Sequence, residues 1–535
     1  NILKYNDLDT IDITYEITIR ADEDIRTICR EIALEQTVEL PDELVQSAFI
    51  RKSIIGKVQS INQVNEKPHL YSVIIAYNPE ISGHNIPQLL NLLYGNISLK
   101  NNIKIVNVAF PDSFLEHFFG PAYGISGIRQ LTGIWGRPLF STALKPMGLE
   151  PKEFAAIAKS FALGGGDIIK DDHGLDNQSF SNFYERVARC QDAVSTVYAK
   201  TGQKTLYFPN ICVNFEEIER TLDYAKRLSV EGVLVSPFLM GADIMRYISK
   251  QYGFIIMAHP ALTGTFFSYS AHGISATVLL GTLFRLFGAD ISVYPNTGGR
   301  FGFTLDECKE INARLTTKPL GKLKGAFGAP AGGMSIDNIE DMAKHYGPDV
   351  VYLIGGALHG YDTNIEKSTK VFMEKIALYF NEYKTTPTDK QFVSACEIGH
   401  SSSKLLEYMK FNNTNCMWSG RQPVLYKTDS NIDFSKITRH ELTGKNGEST
   451  SFDLRYFQIE PNGYSSFEKH VHEHVIICLK GEGMLKCGQN TYTLNPYDIA
   501  YVPPSTPHQL KNTSNETFGF FCIVDHVRDQ PEKGL

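Results

Sequence analysis

The sequence predicts an α/β protein of three folded parts: an N-terminal α+β domain, a (β/α)8 barrel and a C-terminal all-β barrel. Three observations predict it. From about residue 137, short apolar runs alternate with stretches of helical spacing through eight strand–helix units. Ahead of them, strand and helix signals mix without that rhythm. Beyond residue 452 almost every segment reads as strand, broken by glycine, proline and asparagine turns.

Residues 1–125 read as a ferredoxin-like α+β domain. Ile11–Arg20, Ile54–Ile61, Leu70–Tyr77 and Ile103–Phe110 are β-rich, and Asp22–Glu35 and Ile86–Tyr94 have helical spacing. Residues 126–385 read as the barrel. Its strands are expected at Leu139–Leu144, Asp167–Lys170, Leu206–Ile211, Gly232–Ser236, Phe254–Ala258, Asp290–Tyr294, Lys324–Gly328 and Val350–Ile354. Residues 386–431 are polar, with one helix-like piece at Ser402–Lys410, and read as tail and linker. Residues 432–535 form the last barrel, with turns expected at Pro461–Gly463, Gly481–Gly483, Gly488–Asn490 and Asn495–Asp498.

Lys+Arg 52 against Asp+Glu 59 gives a net charge of −7, which argues against a nucleic-acid footprint. No uncharged apolar run approaches the ~18 residues of a membrane span. Nine cysteines, irregularly spaced and without a CxxC pair, suggest free thiols and a reducing, cytoplasmic setting. The opening stretch has no secretion-signal pattern, and the sequence starts on Asn1 rather than Met.

Active sites of such barrels lie at the C-terminal ends of the strands. Those positions hold Lys145-Pro146, Lys170-Asp171-Asp172-His173, Asn210, His259, Asn296-Thr297-Gly298-Gly299-Arg300, Gly332-Gly333 and Gly355-Gly356. Glycine pairs after strands 7 and 8 let backbone N–H groups approach a phosphate. A desolvated lysine supplies a base. Asp172 with His173 suits a divalent cation.

These residues resemble the Rubisco large-subunit superfamily. Gly164–Asp172 (GGGDIIKDD) is similar to its lysine signature, and Lys145-Pro146 to the motif carrying its general base. The resemblance implies catalytic roles for Lys145, Lys170, Asp172, His173 and His259. It implies a carbamylated Lys170 binding Mg2+ with Asp172 and His173. It implies substrate or phosphate binding by Asn296, Gly299, Arg300, Gly332, Gly333, Gly355 and Gly356. Leu34–Thr37 and Gly95-Asn96 resemble segments that complete a partner subunit's site, which implies a homodimer with shared sites and roles for Glu35 and Asn96. The departures argue against CO2 fixation. His173 stands where a third metal carboxylate is expected, Pro260 for a phosphate-binding arginine, Arg300 for the mobile-loop lysine, Val293 for a histidine and Met147 for a second lysine.

In the last barrel, His470-x-His472-x-His474 would turn three imidazoles to one side of a strand, and His508 follows after Gly481-Glu482-Gly483 and Pro503–Pro507. This arrangement resembles a cupin, which implies a divalent metal on His470, His472, His474 and His508. Glu468, His474 or water stands in for the usual glutamate. Mn, Fe, Ni, Zn or Cu suit such donors, and resemblance favours Mn. Arg455–Phe457, Gly463–Ser466, His508-Gln509 and Phe521–Val524 also resemble cupins paired with Rubisco-like isomerases in methylthioadenosine salvage. Cys522 could attack as a thiol, but its β-rich apolar setting favours core filling.

The expected function is a bifunctional enzyme. The barrel would isomerise 5-methylthioribulose 1-phosphate to 1-methylthioxylulose 5-phosphate. The cupin would release the methylthio group, with a thiol such as glutathione as co-substrate, leaving 1-deoxyxylulose 5-phosphate. The alternatives are another keto sugar phosphate, decarboxylated, hydrolysed or enolised, with a sugar-binding or regulatory cupin.

Overall fold

The computed structural model describes residues 9–384, 411–412, 417–418, 423–426, 433–443, 452–525 and 532–533. The expected Ser402–Lys410 helix and most of the linker lie outside them. The chain forms two compact units, Asn1–Ala395 and Cys396–Leu535.

The first unit opens with β1 (Ile11–Thr18), α1 (Ile25–Glu35), β2 (Lys57–Gln63), β3 (Leu70–Tyr77), α2 (Ile86–Tyr94) and β4 (Ile103–Ala109). Strand order β4-β1-β3-β2, antiparallel throughout, is the ferredoxin-like arrangement expected. Ile11, Ile13, Tyr15 and Ile17 alternate onto the buried face of β1. α1 starts three residues later than expected, because the Asp24 carboxylate accepts from Thr27 N and caps it. The strand expected from Ile54 starts at Lys57, because a short helix, Ala48–Ser53, occupies the chain just before it.

The barrel strands are β5 (Leu139–Leu144), β6 (Ile168–Asp171), β7 (Leu206–Phe208), β8 (Gly232–Val235), β9 (Ile255–Ala258), β11 (Ile291–Pro295), β12 (Phe327–Ala331) and β13 (Val351–Leu353). They form one eight-stranded parallel sheet, and a parallel bridge from Asn210 to Leu234 completes the ring between β7 and β8. Every β5, β6, β8 and β9 residue is buried, as two covered faces require. β12 lies three residues beyond its expected position. Lys324–Ala326 are tied elsewhere: Lys324 Nζ donates to Ala122 O, Ile125 N to Gly325 O and Ala326 N to Leu315 O. The ends of the strands away from the site hold buried polar networks. Arg137 Nη1 and Nη2 grip Asp167 at 2.5 and 3.0 Å, and Asp290 accepts the N–H groups of Tyr123, Gly124 and Ile256.

An unexpected strand, β10 (Gly273–Ile274), lies in the loop after β9 and pairs parallel with β4 of the N-terminal sheet. Gly273 has φ +108°, and a Cβ there would fall 1.7 Å from Phe266 O, so only glycine fits.

The second unit contains β14 (Ser435–Thr443), β15 (Phe452–Tyr464), β16 (His474–Lys480), β17 (Gly483–Cys487), β18 (Asn490–Leu494), β19 (Ile499–Val502), β20 (His508–Lys511) and β21 (Phe518–Asp525). The sheet runs β18-β17-β20-β15-β21-β16-β19, with β14 on β15. Ile459, Ile476, Cys478, Phe518 and Phe520 fill its interior. The turn expected at Pro461–Gly463 is a bend inside β15. Asn462 takes φ +63°, and β15 changes partner, pairing with β21 up to Ile459 and with β20 at Tyr464.

Candidate active sites

The strand ends of the parallel barrel open into a cavity of about 830 Å³, whose lining includes Lys145, Lys170, Asp172, His173, His259 and Arg300. Lys145 directly follows β5 and its Nζ lies 2.6 Å from Asp172 Oδ2. His173 Nδ1 lies 2.8 Å from the other oxygen, Oδ1. Burial alone would raise the Asp172 carboxyl. The hydrogen bonds from His173 and Lys145 and the charge of Lys170 outweigh it and hold its pKa far below the usual carboxylate range. Lys170 is fully enclosed, and its Nζ donates to Asp171 O at 3.1 Å. Burial pushes its pKa from the ordinary 10.5 down to about 8, with Lys145 acting in the same direction. His259 stacks on His173 with centroids 4.3 Å apart. Burial, then the charge of Lys170 and the neighbouring His173, keeps its pKa well below 6.5. Its Nδ1 accepts from Ala261 N, which leaves the proton of the neutral ring on Nε2.

Asp171 belongs to the wall. It accepts from Tyr207 OH, Asn210 N and Arg186 Nε.

Gly332, Gly355 and Gly356 also line the cavity. Gly299 and Gly333 instead pack on each other. A Cβ on Gly333 would lie 2.7 Å from Gly299 Cα, and Gly333 has φ +69°. Asn296 is placed in the wall, its carboxamide oxygen accepting from Tyr346 OH at 2.7 Å. Glu35 and Asn96 are joined by a 3.0 Å hydrogen bond, and neither lines the cavity of its own barrel. Lys104 on β4 lines the cavity and was not singled out from sequence. Only the pairing of β4 with β10 brings it there.

The donor set does not fit the expected Mg2+ as it stands. Both Asp172 oxygens are engaged, by Lys145 and His173, and His173 offers a ring nitrogen, whereas Mg2+ takes octahedral oxygen ligands.

In the second unit a cavity of about 260 Å³ is lined by His470, His472, His474, His508 and Cys522, among others. His470, His474 and His508 bring one ligand atom each within 4.8 Å of one another. The imidazoles are not presented along one strand. Residues 470–473 are loop and His474 opens β16, so strand alternation does not hold. His472 stacks on His470 at 4.0 Å outside that group of three. The three fit a cation. His474 Nε2 is buried without a hydrogen-bond partner, while Nδ1 of His470 and of His508 meet the carbonyls of His472 and Thr506. Burial, then His472, lowers the His470 pKa to about 4. Burial, then His508 and His470, pushes His474 well below the ordinary range. Both rings are therefore neutral, as ligands must be.

Cys522 was expected to fill the core. It is buried in the hydrophobic core of the cupin, and it also lines the cavity, with Sγ 3.4 Å from His474 Nδ1. Arg455 Nη2 lies 3.5 Å from the same sulfur. The alternation of Arg455, Phe457 and Ile459 along β15 is the sequence signal for Arg455 facing inward.

A parallel barrel with paired lysines at its mouth, followed by an all-β barrel with a histidine cluster, defines a protein with two candidate sites. Residues 124–371 match the family model "Ribulose bisphosphate carboxylase large chain, catalytic domain", and residues 455–524 match "Cupin domain". The chain is 35% identical over 366 residues to Ribulose bisphosphate carboxylase-like protein 1 of Rhodopseudomonas palustris, covering 68% of this chain and 97% of that protein. It is 33% identical over 371 residues to a 5-methylthioribulose-1-phosphate isomerase of Rhodospirillum rubrum, covering 69% and 96%. The crystal structure of a Rubisco-like protein from Rhodopseudomonas palustris matches with a TM-score of 0.62 at 36% identity, over 69% of this chain and 98% of that one. The chain belongs to the Rubisco-like, form IV branch of the Rubisco large-chain family and carries a C-terminal cupin domain.

Proposed function

We propose that the barrel isomerises 5-methylthioribulose 1-phosphate to 1-methylthioxylulose 5-phosphate and that the cupin removes the methylthio group. The observation that carries the first half is the convergence of Lys145, Lys170, Asp172 and neutral His259 beside the glycine turns at Gly332 and Gly355-Gly356. The isomerase name of the Rhodospirillum rubrum relative supports the substrate.

The reaction is two successive 1,2-proton transfers. A base takes the C3 proton, giving a 2,3-enediolate, and a proton returns to C2, moving the ketone to C3. The same exchange between C4 and C3 moves the ketone to C4, which is C2 of the product. Lys145, held on Asp172, takes and returns the carbon-bound protons. His259 Nε2–H and Lys170 donate to the oxygens as negative charge develops. The glycine N–H groups hold the phosphate.

In the cupin, the Cys522 thiolate attacks the sulfur of the methylthio group. The C1–S bond breaks, its electron pair goes to an enolate of the C2 ketone, and protonation at C1 yields 1-deoxyxylulose 5-phosphate. A second thiol, such as glutathione, attacks the Cys522 methyl disulfide, leaves as the mixed methyl disulfide and returns Cys522. A divalent cation on His470, His474 and His508 would supply Lewis acidity toward a ketone oxygen.

The test is NMR of the full chain with 5-methylthioribulose 1-phosphate in deuterated water, with and without glutathione. Deuterium is expected at the carbons that become C3 and C4, and methylthio loss only with thiol. No exchange would overturn the isomerase reading. Exchange without methylthio loss would overturn the cupin half.

A further inference from the structure

We infer that the cupin cavity contains a subsite for a phosphate monoester, formed by Arg455 and Arg439 on the inner face of β15 and β14. Strand register places them there. Arg439 pairs with Phe457, and Arg455 with both Glu441 on β14 and Cys522 on β21. Side chains of paired positions share a face, so Arg439, Arg455 and Cys522 point into one interior, next to His474. Both arginines line the cavity together with the histidine cluster.

The two guanidinium groups are not equivalent. Arg439 Nη2 is held 3.2 Å from Glu441, which answers its charge. Arg455 forms no ion pair with any described carboxylate. Its contacts are the Cys522 sulfur and the Phe457 ring, 5.3 Å from its centroid, and its Nε is buried with no hydrogen-bond partner. Beyond the Cys522 sulfur met by Nη2, the buried Nε of this permanent cation is a donor that suits a further acceptor, and an anionic one best. Glu468, the carboxylate lining the cavity, accepts from Ser466 Oγ at 2.9 Å and sits beside His470 instead. A cation on the histidines would make the cavity more positive still. A phosphate dianion fits two neighbouring guanidinium groups better than a single carboxylate does. Bound there, it would place a sugar phosphate within the same cavity as Cys522. The identity of the ester rests on the function proposed above; the oxyanion subsite itself does not.

The test is isothermal titration of the full chain with inorganic phosphate, on wild type, Arg455→Gln, Arg439→Gln and the barrel variant Gly355→Asp, with far-UV circular dichroism confirming the fold. Arg455→Gln should remove one equivalent of bound phosphate per chain, Arg439→Gln should weaken that equivalent about tenfold, and Gly355→Asp should leave it. Tungstate soaked into crystals should give anomalous density between the two arginines. Phosphate binding that neither arginine variant changes, or no tungstate at this position, overturns the subsite. Because inorganic phosphate and tungstate carry no methylthio group, failure here is distinct from failure of methylthio release.

Discussion

The Cys522 sulfur lies 3.4 Å from Nδ1 of His474, whose Nε2 is the buried, unpartnered nitrogen of the histidine cluster. One imidazole thus touches the thiol with one nitrogen and faces the cation position with the other. Cys522→Ser should stop methylthio release while leaving metal content and ketose isomerisation at wild-type levels. Methanethiol-derived disulfide and metal analysis of the same sample check this; release persisting in the serine variant would remove Cys522 from the chemistry.

His470→Ala with His508→Ala deletes two of three clustered donors and should strip the metal, since one remaining imidazole binds too weakly. Methylthio release should cease and 1-methylthioxylulose 5-phosphate should accumulate. A parallel fall in isomerisation, in a folded variant, would show that the two catalysts are not independent.

Lys145→Ala should lower solvent-proton exchange into the ketose phosphate by about a hundredfold or more, the scale of a lost general base. Asp172→Asn should also slow it, because Lys145 Nζ loses the carboxylate that positions it at 2.6 Å. Full exchange in Lys145→Ala would shift the base to Lys170.

Lys170 predicts a pH-dependent stability. Unfolded, the amine keeps its proton up to about 10.5; folded, only to about 8. Between those values the unfolded chain binds more protons, so this group makes stability rise with pH across the window, and its full cost is present below it. Lys170→Met should therefore be more stable than wild type at neutral pH, by about 3 kcal/mol at most, with the gap closing toward pH 10. Urea titrations at the two pH values measure it. A gap that stays constant contradicts the shift.

Glu35 and Asn96, 61 positions apart, meet in one hydrogen bond away from their own cavity. If they complete a partner's site, mixed Lys145→Ala and Glu35→Ala chains should regain activity through hybrid dimers. Subunit exchange without recovery would exclude sharing.

The barrel strands were legible because burial on both faces leaves unbroken apolar runs ending in polar residues or glycine, as at Leu139–Leu144 and Ile255–Ala258. β12 begins three residues later than expected because Lys324–Ala326, which lead into Phe327, bond to residues outside the sheet. β10 is two residues long and has no period to read. At the sites, residue types at strand ends identified the lysines, Asp172 and the histidines. Cys522 packs in the cupin core as its apolar strand predicts, but an apolar strand looks the same whether its inward face meets hydrocarbon alone or also a cavity; its register with Arg455 and its approach to His474 add the second. The histidine run was read as a strand, but His470 and His472 precede one, so His474 rather than His472 joins His470 and His508.

The pairing of β10 with β4 has a consequence for synthesis on the ribosome. β4 emerges early, yet the strand that covers its outer edge is encoded some 170 residues later, beyond most of the barrel. Throughout that interval the nascent N-terminal sheet presents an open row of backbone donors and acceptors, the kind of edge on which chains associate. Cutting the chain after the N-terminal sheet would make that exposure permanent, so the sheet and the barrel are one unit of biosynthesis as well as one unit of structure.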